Sequence, residues 1–585
     1  MYSIKDVSGK IIAASHGQLL VDALVGAGMM TNEFPCGRRG VCRKCQVRMK
    51  SGNQWLEVLS CQTLIESDLE VDVSPSDQSM DVCLTEGLGR RAPLAPAIRK
   101  TQFIPPSDDP APTWEDVCRM SGIPSGQGMA SNEDVLKMAV TFCKKRAPFT
   151  IVTRFHEVMT VESGDTRDQL YGMAFDIGTT TVAGYLVDLN KGSTLATVST
   201  LNPQVQYGAD VISRITFADS SPDGLDLLRT SIVRAVNDLI GEAARKAGIN
   251  RESIYDLIFV GNPCMHHLFL GIDPGQLGRA PYQPFIRTSV SLNAYSAGLD
   301  INKSAIMSWL PIVAGFVGAD TVSMLLAHPL EEEAGVTLAV DIGTNGEVVL
   351  ASRGALWACS AAAGPAFEGY SMKSGIRAQN GAIDSVWIDT NGVSYHVIGE
   401  GKPQGICGSG LVDAVSGLLT TGHLDRSGRL SSSENVDPIS ERIVERDGLL
   451  VFLLATREET RDGREVVITQ KDIRHLQLAK AAIAAGIKIL LAEAGLQWND
   501  VEKVILAGAF GLYLKPESIK TIKLLGEIPS DRIRAVGNAA GMGAQNALLS
   551  VEDRENAAEL VNKINYVELA GRADFVDLFM KELSF

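Results

Sequence analysis

Apolar and polar residues alternate in short runs over roughly the first 80 positions. Gln46-Val47-Arg48-Met49 and Leu69-Glu70-Val71-Asp72-Val73 are two such runs, set between turns that carry Gly and Ser. This pattern predicts a strand-rich unit over 1–80. It breaks at about Asp81. Arg90, Arg91, Pro93 and Pro96 lead into IPPSDDPAP, a Pro/Ser/Asp stretch that predicts an extended linker over 81–112. Residues 131–146 then carry a helical period and FTIVTRFHEVMTV reads as strands, which predicts a small α+β middle unit over 113–170. From Tyr171 strands and helices alternate onward, so 171–585 is expected to form one large α/β unit. The expected fold class is multi-domain α/β.

Composition narrows the function classes. The 585 residues are 45% hydrophobic and 21% charged, ordinary for a globular chain. Asp plus Glu number 69 against 54 Lys plus Arg, a formal charge of −15. An acidic surface repels phosphate backbones, so no nucleic-acid partner is expected. The most apolar stretch, Ala479 to Leu496, is interrupted by Lys480, Lys488 and Glu493, so no membrane partner is expected either. MYSIKDVSGK is charged at once and has no signal-peptide core, which predicts a cytoplasmic protein.

Four of the ten cysteines, Cys36, Cys42, Cys45 and Cys61, fall in one short stretch as Cys-x5-Cys-x2-Cys-x15-Cys. The others are scattered singly, as small buried hydrophobes are. Clustered thiolates hold a metal centre, and Cys-x4-Cys-x2-Cys with a distant fourth Cys is a plant-type [2Fe–2S] pattern. Gly37 and Gly40 permit the sharp turns of a loop wrapped round a compact cluster. A hairpin out through Gln46–Met49 and back through Trp55–Leu59 would return Cys61 to that loop. A structural zinc site also uses four thiolates, but only Cys42-x2-Cys45 has the zinc-knuckle spacing.

A second constellation is a repeat. YGMAFDIGTTTVAGYL from Tyr171 is echoed by TLAVDIGTNGEVVL from Thr337, placing Asp176 and Asp341 165 residues apart. Each copy is an apolar strand, an Asp-Ile-Gly-Thr tip and a second apolar strand. Gly178, Thr179 and Thr180 in one tip, and Gly343, Thr344 and Asn345 in the other, offer backbone N–H groups and side-chain donors to an anion. Asp176 and Asp341 are the candidate catalytic residues, able to hold Mg²⁺ through water or to orient an attacking water. One such tetrapeptide is ordinary turn chemistry; two between apolar strands suggest a duplicated fold closing on a nucleotide. Glu347 could assist Mg²⁺ or be a solvated turn residue, and His266-His267 is expected as a packed pair. Gly408-Ser409-Gly410 lacks the third Gly of a dinucleotide fingerprint, and no Walker A loop is present.

The cysteine segment, including the CQT that begins at Cys61, resembles the [2Fe–2S] ferredoxin family, with the vertebrate-type first gap and a short last one. That likeness implies a β-grasp ferredoxin fold with Cys36, Cys42, Cys45 and Cys61 as ligands. The paired tips resemble the actin-like superfamily of sugar kinases and heat-shock ATPases, which implies a two-lobed ATPase. VILAGAFG from Val504 resembles its adenosine motif, FVGNP from Phe259 its inter-lobe connection, and GICGSGLVDA from Gly405 a further cleft loop. Gly408, Ser409, Gly410, Gly508, Ala509 and Gly511 are carried over on that likeness as nucleotide-binding residues. The order of units, with AGPAFEG and VGNPCMHHLFLG, resembles the reductive activators of corrinoid proteins; residues 81–168 match least well.

The resemblance implies a [2Fe–2S] cluster, ATP and Mg²⁺ as cofactors, and ATP-coupled reduction of cob(II)amide to cob(I)amide. It further implies a corrinoid protein as acceptor and a low-potential electron donor protein, and it allows a homodimer. Two other readings stay open on sequence: an actin-like metabolite kinase with a redox-sensing ferredoxin unit, and an ATP-driven electron donor to another enzyme. Activators of hydroxyacyl-CoA dehydratases, which resemble the ATPase half, exemplify the second.

Overall fold

The structure, a computed structural model, describes residues 2–585 apart from 8–9, 28, 30–45, 52–53, 73–86, 108–110, 125–128, 365–366, 368–371, 432–436, 447, 509 and 527. Cys36, Cys42, Cys45, Gly37, Gly40 and Ala509 of the sequence reading lie outside the described residues.

The N-terminal unit is a five-stranded sheet. Its elements are β1 (Tyr2–Asp6), β2 (Ile11–Ala14), α1 (Leu20–Gly26), β3 (Gln46–Ser51), β4 (Gln54–Leu59) and β5 (Leu69–Asp72), with strand order β2-β1-β5-β3-β4. Alternation in the strands turns Ile4, Val47 and Val71 inward onto Leu20 and Leu24 of α1, and this core is closed on itself. The expected hairpin is β3–β4, pairing Gln46 with Leu59.

The middle unit begins earlier than its predicted boundary at residue 113. β6 (Ile98–Phe103), inside the expected linker, pairs antiparallel with β8 (Phe149–Arg154). Between Pro96 and the prolines of IPPSDDPAP, Ile98 and Phe103 drop into two cores. The other elements are α2 (Trp114–Met120), β7 (Met129–Ala130), α3 (Glu133–Lys145) and β9 (Glu157–Ser163), in the order β6-β8-β9-β7. Asn132 caps α3 by accepting from the Asp134 and Val135 N–H groups.

Two sheets of matching topology follow. In the first, β10 (Tyr171–Ile177), β11 (Thr181–Asp188) and β12 (Ser193–Leu201) form an antiparallel meander. β13 (Ile254–Gly261) joins β10 in parallel, and β14 (Val290–Asn293) and β15 (Ile306–Trp309) complete the order β12-β11-β10-β13-β15-β14. In the second, β16 (Val336–Ile342), β17 (Gly346–Ser352) and β18 (Ala355–Ala361) repeat the meander. The strands Val501–Ala507 and Ile533–Gly537 extend it in parallel beyond β16. The repeat read in the sequence is thus the first hairpin of each lobe. Strand Ile254–Gly261 is buried at every position, as a parallel strand covered on both faces must be.

The lobes are joined by crossing helices. α4 (Ala319–Ala327) leads from the first sheet to the second, and α5 (Ala539–Leu549), which follows Ile533–Gly537 of the second sheet, packs on β10 and β13 of the first. Their approach needs glycine: a Cβ on Gly543 would stand 1.7 Å from the Ser323 carbonyl oxygen. Relief by helix separation would cost about 1–3 kcal/mol or more. Tyr185, Val322, Ala339 and Ala547, from both lobes and both helices, share one core. The helix Gln470–Glu493 is long and apolar enough to cross a membrane, but 78% of its apolar window is buried inside the protein.

Candidate functional site

The tips of the two hairpins meet. The Thr180 and Thr344 hydroxyls, one from each lobe, lie 3.0 Å apart. Thr181 leaves the first tip with its carbonyl accepting from the Gly178 N–H at 2.9 Å, and a Cβ on Gly178 would sit 2.7 Å from that same oxygen. In the second tip the Gly343 N–H donates to the Asn345 carbonyl at 3.0 Å. Asn262, at the N-cap of the helix Pro263–Leu270, donates from Nδ2 to the Thr179 hydroxyl at 3.0 Å. Arg377 crosses from the second lobe to donate to the Thr180 carbonyl at 3.2 Å.

Beneath the tips lies a cavity of about 380 Å³, within the range of small-ligand pockets. Asp176, Gly178, Thr179, Thr180, Asp341, Gly343, Thr344, Asn345 and Gly508 all line it. Gly508 has φ +87°, and a Cβ there would meet the Asp341 Oδ1 at 2.6 Å, so only glycine fits this turn. Gly511 is not on the wall; its N–H closes the turn onto the Gly508 carbonyl at 3.1 Å.

Gly408, Ser409 and Gly410 stand apart from the residues that line the cavity. They open the helix Gly408–Thr420, are buried, and do not line the cavity. A Cβ on Gly408 would stand 1.8 Å from the Phe367 carbonyl, and one on Gly410 2.6 Å from that of Ile383. The Ser409 hydroxyl donates to the Asp384 carbonyl at 2.7 Å. Their small size serves packing within the second lobe.

Four carboxylates converge on the cavity: Asp176, Asp320, Asp341 and Glu347. Burial pushes Asp176 up to about 6, against a hydrogen bond from Asn538 Nδ2 at 2.8 Å that favours its charged form. Burial, then the charges of Asp320 and Asp176, push Asp341 up to about 7. Asp320 and Glu347 are raised as well, foremost by burial. Such a cluster favours a bound cation. Among the described residues no three or more His, Cys, Asp or Glu side chains are arranged to hold a metal alone. Carboxylates on the cavity wall could hold Mg²⁺ in part, since that ion keeps several waters and shares its sphere with phosphate oxygens.

Glu347 is no solvated turn residue: it is buried, faces the cavity and accepts from the Ser360 hydroxyl at 3.2 Å. His266 and His267 are packed side chains. His267 Nδ1 donates to the Pro263 carbonyl at 2.7 Å and its Nε2 accepts from the Phe285 N–H at 3.0 Å. Asp320, Asn538, Asn262 and Arg377 are cavity residues that sequence reasoning missed. Asp320 had one local signal, an Asp opening a helix after Gly315-Phe316-Val317-Gly318.

Of the candidate cluster ligands the structure describes Cys61, which is 4% exposed and packs beside Val21. It stands two residues beyond Leu59, and Leu59 pairs with Gln46, the residue that follows Cys45. A buried thiol at that end of the hairpin fits a ligand of a [2Fe–2S] group.

Two lobes of like topology, joined by crossing helices and meeting at paired Asp-Ile-Gly-Thr tips, define a protein of the actin-like ASKHA class. Residues 335–585 match the family described as the C-terminal domain of RACo, the ASKHA domain, and residues 171–333 match the RACo middle region. The chain is 33% identical to the corrinoid activation enzyme RamQ of Eubacterium limosum, over 98% of this chain and 97% of that protein. The [Co(II) methylated amine-specific corrinoid protein] reductase of Methanosarcina barkeri is 24% identical over 71% of this chain and 77% of its own length. A solved reductive activator for corrinoid,iron-sulfur protein superposes with a TM-score of 0.77 at 33% identity, covering 100% of this chain and 98% of that one. The chain belongs to the RACo family of reductive activators of corrinoid proteins.

Proposed function

We propose that this chain is an ATP-dependent reductive activator of a corrinoid protein, delivering one electron to a cob(II)amide centre to give cob(I)amide. The observation that supports it most is the cavity in which both hairpin tips and four carboxylates face one another inside a chain of this family. The hydroxyls of Thr179, Thr180 and Thr344 and the N–H groups of the tips beyond Gly178 and Gly343 bind the phosphates of ATP. Asp176 and Asp341 hold Mg²⁺ through water and orient the attacking water, with Asn538 fixing Asp176. Cys36, Cys42, Cys45 and Cys61 hold a [2Fe–2S] cluster, which supplies one-electron chemistry at low potential. For one electron each ~59 mV uphill costs roughly 1.4 kcal/mol. Closing the lobes on ATP can offset that only if one nucleotide state binds the corrinoid protein better.

The reading is tested by anaerobic spectroscopy of the corrinoid protein at limiting reductant potential. With intact protein and ATP the cob(I)amide signal is expected; with a non-hydrolysable analogue it should stall. Equal yields with and without ATP would sink the coupling.

The cleft also predicts a pH dependence. Asp176 and Asp341 sit above their ordinary value of 3.8 in the folded protein, so the folded state binds more protons than the unfolded chain between about pH 4 and pH 7. Their contribution to stability is present at the acid end and is lost as pH rises through that window. Mg²⁺·ATP favours the ionised carboxylates and offsets the loss. The stabilisation by Mg²⁺·ATP should therefore grow from about pH 5.5 to 7.5, with protons released on binding, as calorimetry in buffers of different ionisation heat can read. Binding without proton release near neutrality would count against these carboxylates as the cation site.

A further inference from the structure

Residues 87–97 join the N-terminal unit to the rest of the chain, and their prolines predict a free tether. The structure instead binds them across the crossing of the lobes. The Leu88 N–H donates to the Val536 carbonyl at 2.6 Å, and Gly87 forms a bridge with Gly537, both at the end of a second-lobe strand. The Arg90 N–H donates to the Ala327 carbonyl of α4 at 2.8 Å, and His328 Nε2 donates to the Leu88 carbonyl at 2.5 Å. The Ala95 N–H donates to the Leu549 carbonyl at the end of α5, at 2.8 Å. Asn546 of α5, 1% exposed, acts as a strand partner. Its Oδ1 accepts from the Ala92 N–H at 3.1 Å and its Nδ2 donates to the Arg90 carbonyl at 2.8 Å. Arg90 also pairs with the buried Asp553.

Two glycines let the segment lie this close. A Cβ on Gly87 would stand 2.2 Å from the carbonyl oxygen of Asn538, and one on Gly89 2.8 Å from that of Ala327. Asn538 is the residue whose side chain holds Asp176 in the cavity. The segment therefore touches the backbone of a residue that faces the nucleotide site. On its other side a crevice of about 490 Å³, bounded by Leu59, Gly87, Gly89, Thr194 and Met542, separates it from the end of β4. Leu59 is two residues from Cys61.

We propose that residues 87–97 form a strap that senses the angle between the lobes and relays it to the N-terminal unit, so that filling the cleft changes how that unit is held. The proposal rests on the nucleotide reading of the cleft. Its backbone bonds are divided between a second-lobe strand and the two crossing helices, so a change in lobe angle must strain or tighten some of them. α5 packs on β10 and β13 of the first lobe while Val536 ends a strand of the second, so the strap cannot follow one lobe alone.

The test is hydrogen–deuterium exchange of the full-length protein with and without Mg²⁺ and a non-hydrolysable ATP analogue. Closure of the cleft is expected to slow exchange at Leu88, Arg90 and Ala95 by about fivefold or more, the scale of a typical coupling between sites. Exchange in β3 and β4 of the N-terminal unit should change with it. Gly89→Val should prise the strap from Ala327; Arg90→Ala, a half-exposed side chain, is the gentler variant should the first fail to fold. In either, protection at 176–181 and 341–346 should persist while the response of the strap and of β3–β4 is lost. Protection at the cleft with an unchanged strap in the unmodified protein would overturn the proposal. So would a full β3–β4 response in the variants. Absence of protection at the cleft itself would remove the nucleotide reading, and the strap proposal with it.

Discussion

Asp176→Ala and Asp341→Ala should each lower ATP hydrolysis by ~10²-fold or more, the loss expected when a group that positions metal or water is removed. Each carboxylate lies near the end of the first strand of its lobe, and each is half-buried against partners that fix its direction. Asn538 donates to Asp176, and the bare backbone of Gly508 lies against Asp341. Neither role passes easily to a neighbour. Asp320 and Glu347 are already raised, foremost by burial and then by neighbouring carboxylates, so they gain charge when one is deleted but do not gain its position. Alanine also relieves buried repulsion, so both variants should remain folded, and nucleotide affinity measured by calorimetry should fall far less than turnover. Hydrolysis at normal rates in both variants would reduce the tips to ordinary turns. The visible spectrum of the protein should be untouched, since the N-terminal unit closes its own core.

Cys42→Ala should abolish the visible absorption of the anaerobically purified protein, which is expected to carry about two irons and two sulfides per chain. Three thiolates do not replace four when the fourth position must be both charged and directed. Cys61→Ser, at the buried end of the β3–β4 hairpin, should give the same loss, or a shifted spectrum if the alkoxide stands in as ligand. Nucleotide binding should survive in both, because the cavity is built from residues 176 and beyond. Tightly bound zinc with no iron after reconstitution would replace the electron-transfer reading with a structural one.

Much of the fold was legible where its causes are local. The two strand–tip–strand repeats could be read because apolar strands and their turn chemistry sit side by side in the chain. The β3–β4 hairpin and α3 followed from alternation and period in the same way. What could not be read depends on distant partners. The prolines of 87–97 fit a tether, and distant partners, Ala327, His328, Val536, Asn546 and Leu549, make it a bound strap. Gly408-Ser409-Gly410 has the composition of a ligand loop, yet its smallness admits the carbonyls of Phe367 and Ile383. Asp320 escaped notice because one Asp at a helix start is commonplace; its neighbours in space come from three other strands and loops.

The strap also sets an order of events during synthesis. Asn546 and its partner Arg90 are 456 residues apart. At about 5–20 residues per second, their emergence from the ribosome is separated by roughly half a minute to a minute and a half. The N-terminal unit, whose described core residues run from Ile4 to Val71, emerges early in that interval. The strap can meet Ala327 and His328 once α4 has formed, but its full attachment must wait until residues 536–553 have joined the second sheet and its helices. A chain cut short before α5 would keep the bonds of the strap to Ala327 and His328 but lose those to Asn546 and Leu549.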